Sequence, residues 1–352
     1  MSLVGETISQ YRVLREIGHG GMATVYEAED TALGRHVALK VIAENLLRDE
    51  TAVALFEQEA RAAAALDHPN ICTVHELTEY KGRPVIVMEL LDGESLRETI
   101  RRGPVAIENV VDIGIAVADA LDAAHQKGFI HRDIKPGNIM WNDRGQVKLL
   151  DFGLAKSEDQ AQLEQEADID DGAIGGTVQF MSPEQTRGDV LDTRSDLFSL
   201  GIVLYELATG QRPFRRHTGL ATMEAIRTMH PASPRALNPQ IPEELELIIA
   251  KLLEKDPANR YQTAADLRND LELLKEALQA AQAERGKATS PDAENETTLI
   301  AAAEPPAPLE NEERLVTRIW RRRAWYVAPF AIAALLFLIL AGIVLYQRLV
   351  NT

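Results

Sequence analysis

The chain has 352 residues, enough for two or three core-bearing units, and its 45% apolar content is that of a globular protein rather than a disordered one. Its formal charge of −17 argues against nucleic acid as the main partner, because a phosphate backbone needs patches of Lys and Arg. A single cysteine, Cys72, excludes an internal disulfide and fits a reducing compartment; in the run Ile71-Cys72-Thr73-Val74 it reads as a small buried hydrophobe.

Met1 to Gln10 lacks the apolar core of a signal peptide. Tyr11 to Ile17 alternates apolar and polar positions as a half-buried strand does. A glycine-rich turn follows, then strand candidates at 23–28 and 36–42. The stretch from Ala52 to Leu66 is rich in strong helix formers. Two further strands are expected at Cys72 to Leu77 and Pro84 to Leu90. Beyond Ser95 the pattern becomes helical: 106–127, closed by Gly128, then 197–209, 243–253 and 264–283. A small β-rich lobe (11–89) followed by a larger helical one (92–275) is an α+β arrangement.

From 284 the composition turns to Ala, Pro, Glu, Asn and Thr with almost no aromatics, which predicts a disordered linker running to 324. Trp325 to Tyr346 carries no charge, and as a helix would be about 33 Å long, enough to cross a hydrocarbon core of about 30 Å. Trp325, Tyr326 and Tyr346 stand at its ends, as interfacial aromatics do. Arg314, Arg318, Arg321, Arg322 and Arg323 precede the span and only Arg348 follows it. The expectation is a single-pass anchor in the cell membrane, contacting the lipid bilayer, with residues 1–324 in the cytoplasm. The tail 347–352 is too short for an external sensor domain.

Three constellations carry chemistry. Gly18-His19-Gly20-Gly21-Met22-Ala23-Thr24-Val25 lies between two expected strands, where glycines let the backbone close over a phosphate chain and present N–H donors. By itself this is equally a hairpin turn. Val37-Ala38-Leu39-Lys40 ends an apolar strand in a lysine placed to hold α- and β-phosphates. Its orienting carboxylate is Glu59 or Glu57; helical spacing does not separate the two. The third constellation, His131-Arg132-Asp133-Ile134-Lys135-Pro136-Gly137-Asn138, is far more specific. Asp133 would accept a hydroxyl proton, Lys135 reach the γ-phosphate and Asn138 ligate Mg2+ through its amide oxygen. Asp151, in Asp151-Phe152-Gly153, adds a second hard oxygen ligand for the metal.

In this order the motifs resemble the eukaryotic-type protein kinases, and within them the bacterial PknB-like receptor kinases, over Tyr11 to Leu274. The resemblance implies a bilobal fold, protein substrates, and ATP with Mg2+, or Mn2+ in its place, as cofactors. It favours Glu59 as the partner of Lys40. It also implies that Ile17, Ala38 and Met140 line the nucleotide site with the glycine loop. Met88 would be the gatekeeper, and the backbone of Glu89 and Leu91 would bind adenine. It implies further that His131 and Phe152 stack, that Asp196 braces the catalytic loop, that Arg260 pairs with Glu184, and that Thr177 contacts Asp133 and Lys135. Lys135-Pro136 is the serine/threonine pattern of this family.

The departures are Ala23 for the third glycine, Ser182 in place of alanine before Pro183-Glu184, and the lack of external sensor repeats. A homodimer is left open. A catalytically dead scaffold would usually lack Lys40, Asp133, Asn138 or Asp151, and all four are present. A small-molecule phosphotransferase would not need the 151–184 segment. Between Leu154 and Gly176 the only hydroxyl is Ser157, so a carboxylate, Asp170 or Asp171, is expected to pair with Arg132 where relatives use a phosphothreonine.

Overall fold

The computed structural model describes residues 2–152 and 178–288. The linker expected from 284 begins later, because the last helix runs on to Ala288 through a stretch rich in Ala, Glu, Arg and Lys. The rest of that linker, the Trp325–Tyr346 span, the external tail, the contact of Thr177, and the pairing of Asp170 or Asp171 with Arg132 lie outside the described residues. Among the described residues, no helix is long and apolar enough to cross a membrane.

The N-terminal lobe is a six-stranded antiparallel sheet in the order β1-β2-β3-β4-β6-β5. Its strands are β1 (Thr7–Ile8), β2 (Tyr11–His19), β3 (Ala23–Asp30), β4 (Arg35–Ile42), β5 (Val74–Tyr80) and β6 (Arg83–Glu89). Tyr11 and Val13 of β2 turn inward while Arg12 is exposed, so the period-2 pattern sets the face. Leu39, Val41, Val85 and Val87 from the central strands form the core of the sheet. Helix α1 (Glu50–Ala64) crosses its other face; Asp49 caps it by accepting from the backbone N–H of Thr51 and Ala52. Phe56 and Ala60 bury that helix against Ile42 and Ile86. At about 2 kcal/mol or more for a side chain the size of Phe56, this packing holds the helix where propensity alone could not.

The expected strand at 72–77 is displaced to Val74–Tyr80. Cys72 precedes it, because its N–H is taken by the Leu149 carbonyl at 2.9 Å instead of by a strand partner. The helical reading beyond Ser95 also needs correction. A three-stranded sheet of β7 (Glu94–Ser95), β8 (Ile139–Trp141) and β9 (Val147–Leu149) lies there. Strands of two or three residues carry no readable period.

The C-terminal lobe is otherwise helical: α2 (Leu96–Arg101), α3 (Ile107–Gln126), α4 (Pro183–Arg187), α5 (Thr193–Thr209), α6 (Gly219–Thr228), α7 (Pro234–Leu237), α8 (Glu243–Leu252) and α9 (Ala264–Ala288). Helix α5 is its axis, buried from Ser195 to Thr209. Asp192 caps its start and Gly210, at φ 71°, ends it in the left-handed conformation. Gly201 lets α8 approach: a Cβ there would meet the Leu252 Cβ at 2.6 Å.

Candidate active site

The glycine loop sits over the lysine because of strand register. The turn Gly20-Gly21-Met22 joins β2 to β3, where Gly18 faces Val25 and His19 faces Thr24. Val25 in turn faces Lys40 on β4, and Ala38 faces Met88 on β6. Ile17 and Gly18 thus stand on β2, and Ala23, Thr24 and Val25 on β3, on either side of this turn, with Ala23 packed against Phe56 of α1. Met88, Glu89 and the following Leu91 lie where β6 leaves the N-lobe, and Met140 of β8 stands on the C-lobe side. No Cβ contact would arise within 4 Å at Gly21.

Lys40 Nζ lies 2.7 Å from Glu59 Oε1 and 2.8 Å from Asp151 Oδ1. Glu57 turns away to Arg61, at 3.1 Å. Burial by itself would lower the Lys40 pKa, but the carboxylates of Asp151 and Glu59 hold the ammonium charged, above its ordinary value. Burial also pushes Glu59 up, to about 7, ahead of the opposing pull of Lys40; Asp151 adds to the rise. Since Lys40 stays charged throughout, Glu59 decides whether the ion pair exists. Behind this pair a cavity of about 20 Å³ is lined by Ile71, Cys72, Met88 and Phe152. Cys72 belongs to the wall, with its thiol pushed up to about 12 by burial, so it is an inert hydrophobe.

The catalytic-loop residues converge from the C-lobe. Lys135 Nζ donates to Asp133 Oδ2 at 2.7 Å, and Asn138 Nδ2 donates to the same oxygen at 3.0 Å and to the Asp133 carbonyl at 2.9 Å. With the amide nitrogen committed, the Asn138 oxygen is left for a cation. Together with the Asp151 carboxylate it makes the hard-oxygen donor pair that Mg2+ prefers, so the residues fit the metal. Arg132 and Asp151 are non-glycine residues at φ 67° and 47°, strain that the surroundings must hold. Asp196 of α5 holds the first: its carboxylate accepts from the N–H of His131 and of Arg132, both at 2.8 Å, and from His125 Nε2 at 2.8 Å. Gln185 Nε2 binds the Arg132 carbonyl at 2.8 Å. His131 is buried, which lowers its pKa, and its Nε2 reaches the Leu150 carbonyl at 2.9 Å. Its ring meets Phe152 at 4.7 Å between centroids.

Motif reading missed one tie in this site. Lys148 of β9 donates to Glu89 Oε1 at 2.6 Å, and Thr73 N–H reaches the same oxygen at 2.6 Å. Lys148 lies on the strand that runs into Asp151, so this contact joins the hinge to the metal-ligand side of the cleft. Its only sequence signal is a lysine among apolar residues, which reads as a solvated strand position.

Residues 11–271 match the protein kinase domain family. The chain is 40% identical over 266 residues to the probable serine/threonine-protein kinase PknB of Lactococcus lactis, covering 74% of this chain and 41% of that protein. It is 38% identical to the serine/threonine-protein kinase PrkC of Bacillus subtilis, covering 76% and 41%. The chain thus spans about two fifths of the length of these relatives. Among solved structures, the Mycobacterium tuberculosis PknI kinase domain superposes with a TM-score of 0.60 at 26% identity, covering 77% of this chain and 99% of that one.

Proposed function

Because the chain belongs to the protein kinase family, of the bacterial serine/threonine type, we propose that it transfers the γ-phosphate of MgATP to serine and threonine hydroxyls of proteins, its own included. The observation that carries this reading is a pair of clusters, Lys40 with Glu59 and Asp151, and Asp133 with Lys135 and Asn138, tied together where the Leu150 N–H beside Asp151 donates to the Asn138 carbonyl at 2.8 Å. Asn138 and Asp151 would hold Mg2+, which when bound neutralises phosphate charge. The rest is positioning by this chain's own groups. Lys40, oriented by Glu59, holds phosphate oxygens, and the glycine loop gives them N–H donors. Asp133 Oδ2 takes the acceptor hydroxyl's proton, with Lys135 beside it to balance the charge that builds up. The backbone of Glu89 and Leu91 holds adenine. The kinase unit runs from 11 to 275, and Trp325 to Tyr346 anchors it to the membrane with the kinase in the cytoplasm.

Incubating the purified protein with MgATP and mapping phosphate by mass spectrometry tests the activity. Phosphoserine and phosphothreonine are expected, with Thr289, Ser290, Thr297 and Thr298 among the sites because they belong to the same chain as the kinase unit, at high effective concentration. Phosphotyrosine alone, or no phosphate, would refute it. Fractionation of cells should leave the intact chain with the membrane; recovery in the soluble fraction would refute the anchor.

The Glu59 carboxyl predicts opposite pH effects on activity and stability. As pH falls through about 7 it takes up a proton and the Lys40 ion pair loosens, so kcat/KM for ATP should fall. Stability moves the other way. A carboxyl whose folded pKa is raised binds a proton that the unfolded chain releases, so the folded state loses stability as pH rises from the ordinary value of 4.5 through about 7. Glu59→Gln should flatten both limbs at low overall activity. An unchanged acid limb in that variant would show that another group titrates.

A further inference from the structure

The loop 65–71 that follows α1 belongs to the C-lobe. Leu66 and Ile71 are buried in that lobe's main core, whereas Phe56 and Ala60 of α1 are buried in the N-lobe. Polar groups fix the same loop. Lys127, at the end of α3, donates from Nζ to the Ala65 carbonyl at 2.7 Å. His68 Nδ1 accepts from the Asn70 N–H at 3.2 Å, so the ring proton sits on Nε2, which lies 3.2 Å from Asp119 Oδ2 on α3. Asn70 Nδ2 donates to the Val147 carbonyl at 2.9 Å, and the Asn70 carbonyl accepts from the Leu149 N–H at 2.8 Å. Helix α1 is therefore held along one face by the N-lobe and at its C-terminal end by the C-lobe. It carries Glu59 about one and a half turns before that end.

Asp119 has a second partner: its Oδ1 accepts from Arg268 Nη1 on α9. Arg268, Lys275 and Gln282 follow one another at two helical turns and share one face of α9. They meet Asp119, Asp112 and Glu108 in that order, the last two at 2.8 and 2.6 Å, so α9 lies antiparallel along α3. Gly114 of α3 admits this helix: a Cβ there would stand 3.0 Å from Leu271 Cδ1. One carboxylate thus joins the loop behind α1 to both α3 and the last helix.

We infer that Asp119 and Arg268 are positioning residues for the reaction: through His68 they fix the loop on which α1 pivots, so the hold of α9 on Asp119 sets how fully Glu59 meets Lys40. The inference rests on the kinase reading above, in which that pair orients the phosphates. Neither residue lies in a motif that builds the cleft, so their effect on ATP has to pass through the loop. Asp119 and Arg268 are about one third exposed, at 34% and 28%, so their pairing biases the position of α1 rather than creating it.

The test is a double-mutant cycle with Glu59, read as kcat/KM for ATP from ADP release by the full chain with Mg2+. Asp119→Ala removes the acceptor of both His68 and Arg268 and should lower kcat/KM by about tenfold. Arg268→Met leaves His68 its acceptor and should lower it by about threefold, and Arg268→Lys should recover the wild-type value, since an ammonium can meet the same oxygen. In a Glu59→Gln chain, where no ion pair remains to be aligned, each substitution should cost less than about twofold. A residue that only stabilises the fold would show the same loss in both backgrounds. Should Asp119→Ala not fold, the cycle with Arg268→Met decides alone, because that pair lies near the surface. Equal losses with and without Glu59, or no loss in the wild-type background, would overturn the inference and leave the kinase reading standing. No turnover by the wild-type chain would overturn both.

Discussion

Asp133→Asn should lower kcat by roughly 10²- to 10⁴-fold while leaving the fold and nucleotide affinity near those of the wild type. The range is what a positioned general base supplies, and at about 1.4 kcal/mol per tenfold it is about 3–5 kcal/mol of barrier. An asparagine keeps an oxygen that can accept from Lys135 Nζ or Asn138 Nδ2, now at 2.7 and 3.0 Å, so the loop need not rearrange. Lys40→Met should be at least as damaging but should differ in kind. It removes the cation between Glu59 and Asp151, so two carboxylates face each other and one takes up a proton. The loss should then appear in KM for ATP as well as in kcat. Single-turnover rates with nucleotide titration separate the two cases. A folded Asp133→Asn enzyme with near-normal turnover would remove Asp133 from the mechanism.

The largest stability effect is expected at Arg260. Its two terminal nitrogens meet Glu184 Oε1 and Oε2 at 2.7 and 2.9 Å, and its side chain is fully buried beside a Glu184 that is 6% exposed. The guanidinium also donates to the carbonyls of Arg194, Glu254 and Lys255 and lies 4.8 Å from the Phe198 ring centroid. Ser195 Oγ donates to Glu184 as well, at 2.7 Å. Removing one member leaves a buried charge without a partner, which costs about 3–5 kcal/mol, a large part of the roughly 5–15 kcal/mol that holds a domain folded. Arg260→Met should therefore lower the denaturation midpoint sharply, and Arg260→Lys should not restore it, since an ammonium cannot reproduce the fork. Burial raises the Glu184 pKa, but its bonds to Arg260 and Ser195 outweigh burial and bring the carboxyl below its ordinary value. Its stabilisation is thus present above about 4.5 and lost as pH falls further. Denaturant titrations at neutral and acid pH should show the Arg260→Met deficit shrinking in acid. A deficit under about 1 kcal/mol at pH 7 would mean that the pair has little weight in this lobe.

The kinds of partner in these two predictions differ in how readable they were. Asp133, Lys135 and Asn138 lie within six positions of one another, so their spacing in the chain is nearly their spacing in space, and the motif names them together. Glu184 and Arg260 were named as a pair only by resemblance. They are 76 residues apart, and no local pattern reports that both point into one buried spot. The bond between Lys148 and Glu89, 59 residues apart, matched no motif at all and went unread.

The chain by itself determined the α+β order, the long helices and the catalytic constellations. Periodicity is a local property of the backbone, and the glycine loop and catalytic loop need particular residue types at short spacings. The tertiary structure decided the rest. It chose Glu59 over Glu57, because Phe56 and Ala60 bury one face of α1 and carry Glu59 inward with them. It made strands of the two- and three-residue segments β7, β8 and β9, which pair with one another but have no period of their own. It brought the Arg97 guanidinium beside Gly137, 40 residues away in the chain. Each of these depends on which faces meet when the lobe closes, and the packing of facing surfaces is not encoded at any one position of the chain.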